Sequence, residues 1–245
     1  MRIAVVSDIH GNLPALEAVV AHFKHHGVDT VINLGDNLSG PLLPLETAQY
    51  LMAQDWVHLA GNHDRQLLAH GTEQCTDIDE LAYSQLTPKE LAWLKTLFPK
   101  GNLGTDILFC HGTPASDSEY FLETVDVHGA RMATRKEVDA RLGTTQAKLV
   151  LCGHTHKPRA IRSSSGQLIV NPGSVGLPAY DDATPYRHVI ENGTPDAHYA
   201  ILELLNDHWI ASLVSVPYHY QSMVKLANSH KYPDWAQALA TGYMS

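Results

Sequence analysis

The 245-residue chain contains no run of about 18 consecutive apolar residues, which argues against a membrane-spanning helix. Cysteine is scarce. Cys75, Cys110 and Cys152 are an odd number without a CxxC spacing, so no disulfide framework is expected, and a reducing cytoplasm is the natural compartment for three small buried thiols. Basic charge is short as well: Lys and Arg number 17 against 26 Asp and Glu, a formal net charge of −9 with His neutral, and no basic stripe appears. A long nucleic-acid polyanion is therefore not expected as a partner. A small phosphorylated substrate stays open, because bound divalent cations make an acidic site locally positive. No cleavable leader is expected, since Met1-Arg2 runs at once into a strand-like segment.

Histidine, by contrast, is plentiful, with 16 residues, several of them in glycine-flanked loops. At 44% hydrophobic and 18% charged, the length fits one large α/β domain over 1–245. Ile3-Ala4-Val5-Val6 is an uninterrupted, largely β-branched run that reads as a short buried strand, and it ends in Ser7-Asp8-Ile9-His10-Gly11-Asn12. A carboxylate and an imidazole two residues apart at a strand's end can point into one crevice at the carboxyl edge of a sheet, where open α/β sheets bind ligands. Taken alone, the tripeptide also fits an N-capping Asp beside a surface His. Residues 13–23 then read as an amphipathic helix with Pro14 in the first turn and Gly27 after its end. A second strand over 30–34 runs into Gly35-Asp36-Asn37. Strand, helix and strand make a βαβ unit with parallel strands, which brings Asp36 toward Asp8 and His10. A second helix is expected over 45–53 and a third strand over 56–59, ending in Gly61-Asn62-His63-Asp64.

Residues 65–97 read as helical and structural, with Thr87-Pro88-Lys89-Glu90 as a capping box. Strands over 106–110 and 147–152 end in His111-Gly112 and Gly153-His154-Thr155-His156. Between them a loop and a helix opened by Thr134-Arg135-Lys136-Glu137 are expected, with Arg131 and Arg135 as either phosphate contacts or solvated charges. Residues 160–162 and 168–170 pair about a turn at Ser163-Ser164-Ser165-Gly166. The loop Asn171-Pro172-Gly173-Ser174-Val175-Gly176 reads as a polar-capped turn or a phosphate contact. An extended surface loop is expected over 178–197 and a second hairpin over 198–205 and 208–216. The tail beyond Tyr218 reads as two weak amphipathic turns without chemistry.

Asp8-x-His10, Gly35-Asp36, Gly61-Asn62-His63-Asp64, His111-Gly112 and Gly153-His154-Thr155-His156, each after a strand, closely resemble the signature of the calcineurin-like metallophosphoesterase family, in order and over residues 1–176. The Asn-Pro-Gly-Ser-Val-Gly loop and the early start resemble its compact bacterial and archaeal phosphodiesterase branch. The resemblance implies a four-layer α-β-β-α sandwich, two mostly mixed sheets flanked by helices, with residues 177–245 supplying C-terminal strands and a tail. It also implies two divalent metal ions. Asp8, His10 and His156 would hold one, Asn62, His111 and His154 the other, and Asp36 would bridge them. Asp, Asn and imidazole ligands without thiolate suit Mn or Fe first, with Zn, Ni or Co as alternatives.

By the same resemblance, hydroxide formed from a metal-bridging water attacks the phosphoryl group. His63 is expected to protonate the leaving oxygen, and Asp64 to orient that imidazole. Asn37 and Arg65 are candidate substrate contacts. Small phosphodiesters, among them nucleotide-derived ones, are the expected substrates. A phosphomonoesterase or Ser/Thr protein phosphatase on the same site is the alternative, and a non-catalytic metal-binding scaffold a further one. Tyr83, Tyr120, Phe121, Tyr180 and Tyr186 either border the mouth, where one could stack a base, or simply pack. The oligomeric state is open, a homodimer included.

Overall fold

Strand β1 (Arg2–Val6) sorts its side chains by alternation, and this settles the layers. Ile3 and Val5 enter one apolar cluster with Ile107, Phe109, Leu149, Leu151 and Val170. Ala4 and Val6 enter another with Leu16, Val19, Val20 and Phe23 of helix α1 (Leu13–Lys24). The computed structural model describes residues 1–244. It contains two five-stranded sheets stacked face to face, with helices on their outer faces.

The first sheet has the order β14-β13-β1-β2-β3, with β2 at Thr30–Asn33, β3 at Val57–His58, β13 at Ala197–Leu205 and β14 at His208–Val216. Strands β1, β2 and β3 are parallel, whereas β13 lies antiparallel to β1 along its other edge, with Ala4 opposite Ile201. The second sheet has the order β4-β5-β8-β10-β9, with β4 at Lys100–Leu103, β5 at Ile107–Cys110, β8 at Leu149–Leu151, β9 at Arg159–Arg162 and β10 at Leu168–Asn171. Its central strands β5, β8 and β10 are parallel and its edges antiparallel. Val150, Cys152 and Ile169 turn outward onto Val138 and Leu142 of helix α6 (Arg135–Leu142). Both sheets are thus buried on two faces, as their continuous apolar runs require.

Local chemistry accounts for the helix starts. Asn12 Oδ1 accepts the Ala15 N–H at 3.3 Å, and Thr134 Oγ1 accepts the Glu137 N–H at 3.3 Å. Helix α5 (Pro88–Leu94) begins at the Thr87/Glu90 capping box with Pro in its first turn. Helices α2 (Pro44–Met52), α3 (Asn62–Leu68), α4 (Asp77–Gln85) and α5 share a cluster around Leu38, Ala48, Leu67, Ala82 and Leu94.

Four segments differ from expectation, the first being edge strand β4, whose Lys100-Gly101-Asn102-Leu103 carries no apolar run to mark it. The stretch before α6 forms a hairpin, β6 (Glu123–Asp126) and β7 (Gly129–Met132), because Gly129 takes φ +111° at the turn and Arg131 bridges Asp126 to Glu137. Arg131 is therefore spent on structure. The 178–197 segment holds a second hairpin, β11 (Ala179–Asp182) and β12 (His188–Glu191), whose inward residues Ala179 and Ile190 are buried under exposed polar neighbours that mask the strand pattern. The tail forms two helices, α7 (Gln221–Ser229) and α8 (Pro233–Thr241), which bury Met223, Ala227, Ala236 and Leu239 against Leu42.

Candidate metal centre

Strands β1, β2, β5 and β8 all end at one edge, and their loops carry polar side chains into a single crevice. The loops are stitched together by backbone hydrogen bonds: Asp8 N–H to Gly35 O at 2.9 Å, His10 N–H to Asp36 O at 3.0 Å, and Gly153 N–H to His111 O at 2.7 Å. The glycine-rich loop after β10 is buried and performs the same task. Ser174 Oγ donates to Asp8 O at 2.8 Å, and Gly176 N–H donates to the same carbonyl at 3.0 Å. Of its two sequence readings, the structure thus bears out the polar turn that supports β1.

The backbone at the site is strained in a patterned way. Asp8, His10, Asp36, His154 and His156 all adopt left-handed conformations, with φ between +51° and +67°. Such positions cost about 1–3 kcal/mol each and persist where surrounding contacts over-determine them. Glycine permits the close approach around the two carboxylates. A Cβ at Gly61 would lie 2.1 Å from Asp36 Oδ1, and one at Gly153 would lie 2.0 Å from Ser7 Oγ.

Two groups result. Asp8, His10 and His156 offer ligand atoms within 4.8 Å of one another, and so do Asp36, His111 and His154. His10 Nε2 lies 3.2 Å from His156 Nε2, and His156 Nε2 lies 3.4 Å from Asp8 Oδ1. In the second group His111 Nε2 lies 3.2 Å from Asp36 Oδ2 and 3.1 Å from Asn62 Oδ1. Asn62 donates its Nδ2 to Gln66 Oε1 at 3.3 Å, which leaves Oδ1 for the site. All seven residues the sequence pattern singled out as ligands therefore converge.

The residues present fit divalent cations on three counts. Each imidazole has one nitrogen committed to a carbonyl: Nδ1 of His10 to Ser39 O, of His111 to Leu34 O and of His156 to Leu177 O, at 2.8, 2.9 and 2.7 Å. His154 reverses the choice, with Nε2 donating to Ser118 O at 3.1 Å, so Nδ1 is its free lone pair. This is how outer hydrogen bonds fix the tautomer of a metal-binding His. Asp8 Oδ1 is buried without a hydrogen-bond partner, an arrangement that is costly unless something positive meets it. Charge gives the third count. Burial pushes His10 and His154 down to about 4, helped by His156 and by His111 respectively, so both are neutral and able to bind a metal at neutral pH. Burial opposes ionisation of Asp36, yet His111 and His63 hold it well below the usual carboxylate range. Asp8 is lowered too, by His156 and His111 against the effect of burial. Against the effect of burial, Asp36 in turn pushes His111 up to about 10, so a cation at this group would displace the His111 proton and take over its role as counter-charge.

His63 opens α3 beside Asn62, a third exposed, with its N–H donated to Asp36 Oδ1 at 2.8 Å. Burial would lower its pKa, but Asp36 and a hydrogen bond to Asp79 raise it to about 9. That hydrogen bond corrects the sequence expectation. Asp79 Oδ1, not Asp64, lies 3.2 Å from His63 Nδ1, and Asp79 is wholly buried. Asp64 turns the other way, accepting from Asn37 N, Asn37 Nδ2 and Gly61 N at 3.0, 2.8 and 2.9 Å, and so clamps two loops together.

Asn37 is likewise not a substrate contact. Its side chain is fully buried between Leu59 O and Asp64. Arg65 is bound by Asp117, with Nε to Oδ2 at 2.7 Å and Nη2 to Oδ1 at 3.1 Å, so its guanidinium is already occupied.

Sequence reasoning missed Asp79, because Thr76-x-x-Asp79 reads as the capping box of α4, a duty it also performs. It missed Trp235 as well, whose ring stands 5.8 Å from that of His10. Tyr120 and Tyr180 do border the site, with rings 5.1 Å from His154 and 4.7 Å from His156. Phe121 is core, and Tyr83 stacks on His70. The two candidate ligand groups form the floor of a groove of about 1170 Å³.

Comparison with known proteins agrees with this fold. The chain is 25% identical to a metallophosphoesterase from Sphaerobacter thermophilus, whose crystal structure superposes with a TM-score of 0.77 over 99% of both chains. A hypothetical protein from Pyrococcus horikoshii shares the fold, with a TM-score of 0.74 at 16% identity over 100% of this chain and 99% of the other. An uncharacterised protein from Methanocaldococcus jannaschii is 23% identical over 95% of this chain and 94% of its own length. No described helix is long and apolar enough to cross a membrane. The family model for the calcineurin-like phosphoesterase superfamily domain matches residues 1–193, and the chain belongs to that superfamily.

Proposed function

We propose that the protein is a dinuclear metal-dependent phosphodiesterase acting on small diesters. The observation that carries this reading is the convergence of Asp8, His10, Asp36, Asn62, His111, His154 and His156 on one crevice with His63 at its rim. Asp8, His10 and His156 would hold one cation, Asn62, His111 and His154 the other, and Asp36 would serve both. Two divalent ions would supply Lewis-acid chemistry, lowering the pKa of a water and offsetting phosphoryl charge.

The protein's own groups do the rest. Asp36 Oδ1 holds the His63 backbone, and Asp79 holds Nδ1, so Nε2 is the nitrogen free to carry a proton to the leaving oxygen. The hydrogen bond to Asp79 favours the protonated ring. Asp79 is a positioning residue in this scheme.

A diester is favoured over a monoester because, among the described residues lining the groove, no guanidinium stands free for a dianion. Arg65 is engaged by Asp117, and Arg141 donates to Phe121 O, Glu123 O and Thr124 Oγ1. The test is hydrolysis by a chelator-stripped sample, with and without added Mn(II), of a nitrophenyl diester and the matching monoester. Metal-dependent turnover favouring the diester supports the proposal, whereas monoester preference turns the search to phosphoproteins and small phosphates. Two bound metals with no turnover on either would favour the scaffold reading.

A further inference from the structure

The groove above the metal centre has walls whose charge is one-sided. Asp77, Glu119 and Asp182 line it, while the only Lys or Arg among its described lining residues is Arg141. That guanidinium is used up: Nη1 donates to Phe121 O and Glu123 O at 3.0 and 2.9 Å, Nη2 donates to Thr124 Oγ1 at 2.9 Å, and Nε lies 3.7 Å from Glu119. Asp182 accepts only the Thr184 N–H, and it shares a strand face with Tyr180 two residues before it. The other wall material is aromatic. Tyr120 and Tyr180 begin at His154 and His156 with their hydroxyls 2.6 Å apart, and Trp235 stands at His10.

We infer that the groove selects a phosphodiester whose only negative charge is the reacting phosphoryl group and whose organic arm is neutral or cationic. The inference rests on the phosphodiesterase reading and deepens it. The two cations would compensate one phosphoryl group at the floor. A second phosphate on the arm would lie along a wall where Asp77, Glu119 and Asp182 outnumber the one guanidinium, Arg141, which is tied to Glu119 and to backbone carbonyls, so like charges repel and the low-dielectric walls of a cleft focus that field. A cationic arm meets the opposite situation, since carboxylates and aromatic faces both attract it. Polyphosphorylated substrates are thereby disfavoured, and compact esters of alcohols or amino alcohols are favoured.

The experiment compares three 4-nitrophenyl diesters on the Mn(II)-loaded full chain. They share a leaving group and differ in the second arm: choline, propyl and 2-phosphoethyl. kcat/KM is expected to be highest for choline or propyl and at least about tenfold lower for the phosphorylated arm. In a Glu119→Gln, Asp182→Asn double variant, the ratio of phosphoethyl to propyl kcat/KM should rise at least about fivefold. A phosphoethyl ester cleaved as fast as the propyl ester, or a ratio unmoved by the double variant, overturns the inference. Calorimetric binding of phosphocholine and of ethylene glycol bisphosphate to the same loaded protein provides an independent readout. If no diester turns over, the phosphodiesterase reading fails, and the groove is then judged by binding alone. Tighter phosphocholine supports the inference, and equal or tighter bisphosphate overturns it.

Discussion

Replacing Asp79 by Asn tests the proton-delivery geometry with little change of shape. Asp79 Oδ1 accepts Ser39 Oγ at 2.5 Å and faces His63 Nδ1 at 3.2 Å, while Oδ2 accepts Thr76 N and Thr76 Oγ1 at 3.0 and 2.6 Å. In the variant the amide oxygen is retained on the Thr76 side, where two donors need it, so the NH₂ faces Ser39 and His63. Nδ1 must then accept, so the ring is held neutral with its one proton on Nε2, and the counter-charge that favoured the imidazolium is gone. A hydrogen bond to a charged partner contributes about 1.5–3 kcal/mol. With His63 a third exposed, the lower half of that range applies, about 1.5–2 kcal/mol, or roughly 10–30-fold in rate. The loss should fall on substrates that need protonation of the leaving oxygen. kcat/KM is therefore measured on an alkyl diester and on a nitrophenyl diester, whose leaving group departs unaided. A drop of roughly 10–30-fold on the first and less than about threefold on the second is expected. In a His63→Ala background Asp79→Asn should cost almost nothing further. An equal loss on both substrates, or a full loss without His63, would show that Asp79 acts through the capping of α4 instead.

Four further outcomes follow from the same geometry. Stripping metal should lower Tm by about 5–10 °C, the thermal equivalent of roughly 2.7 kcal/mol at a hundredfold excess over Kd, and a chelator-insensitive Tm would contradict a metal role for the two groups. Gly61→Ala places a Cβ 2.1 Å from Asp36 Oδ1, so bound metal counted by elemental analysis should fall by at least about one ion per chain if Asp36 serves both sites. Arg65→Ala should change kcat/KM less than about threefold, because Asp117 already occupies the guanidinium; a KM rise above about tenfold would return Arg65 to the substrate contacts. His58 gives a pH signature. Burial pushes its imidazole down to about 4 from an ordinary value of 6.5, so the unfolded chain binds the proton first and stability is lost as pH falls from 6.5 through 4. The loss is about 2 kcal/mol after allowance for partial exposure. Denaturant melts at pH 7.5 and 4.5 should diverge less in His58→Phe than in the parent, and equal divergence would assign the acid loss elsewhere.

Much of the site was legible because a ligand at a strand's end is a local signal. Asp8, Asp36, His111 and His154 each follow an apolar run within two residues of a glycine or another ligand, and parallel pairing then collects the loops at one edge. The strands of both sheets except the edge strand β4, and the hairpin of β13 and β14, were readable for the same reason, since alternating or continuous apolar runs carry their own period, which Lys100-Gly101-Asn102-Leu103 lacks. What stayed hidden is nonlocal or doubly used. The Asp79–His63 hydrogen bond spans 16 residues, and Asp79 looks fully accounted for as a cap. Asp64 invited the wrong role because it is next to His63 in sequence, while its carboxylate faces the Asn37 and Gly61 N–H groups. Trp235 belongs to a short helix of modest apolar content, and nothing in residues 233–241 indicates that one ring reaches His10 from 225 positions away. Arg65 looked available in sequence, and only the fold could show Asp117 already holding it.

The position of β13 and Trp235 sets an order of events during synthesis. All seven candidate ligands lie within residues 8–156, but the edge of β1 that carries Asp8 and His10 is covered only when residues 197–205 pair with it. The ring beside His10 arrives later still. At about 5–20 residues per second, roughly 11–45 s separate translation of the first ligand from that of Trp235. During that interval the growing chain carries the metal-binding loops on an unpaired strand edge, a state prone to wrong pairing. The candidate site is therefore completed only after the β13–β14 pair and helix α8 have been made and close around the first loop.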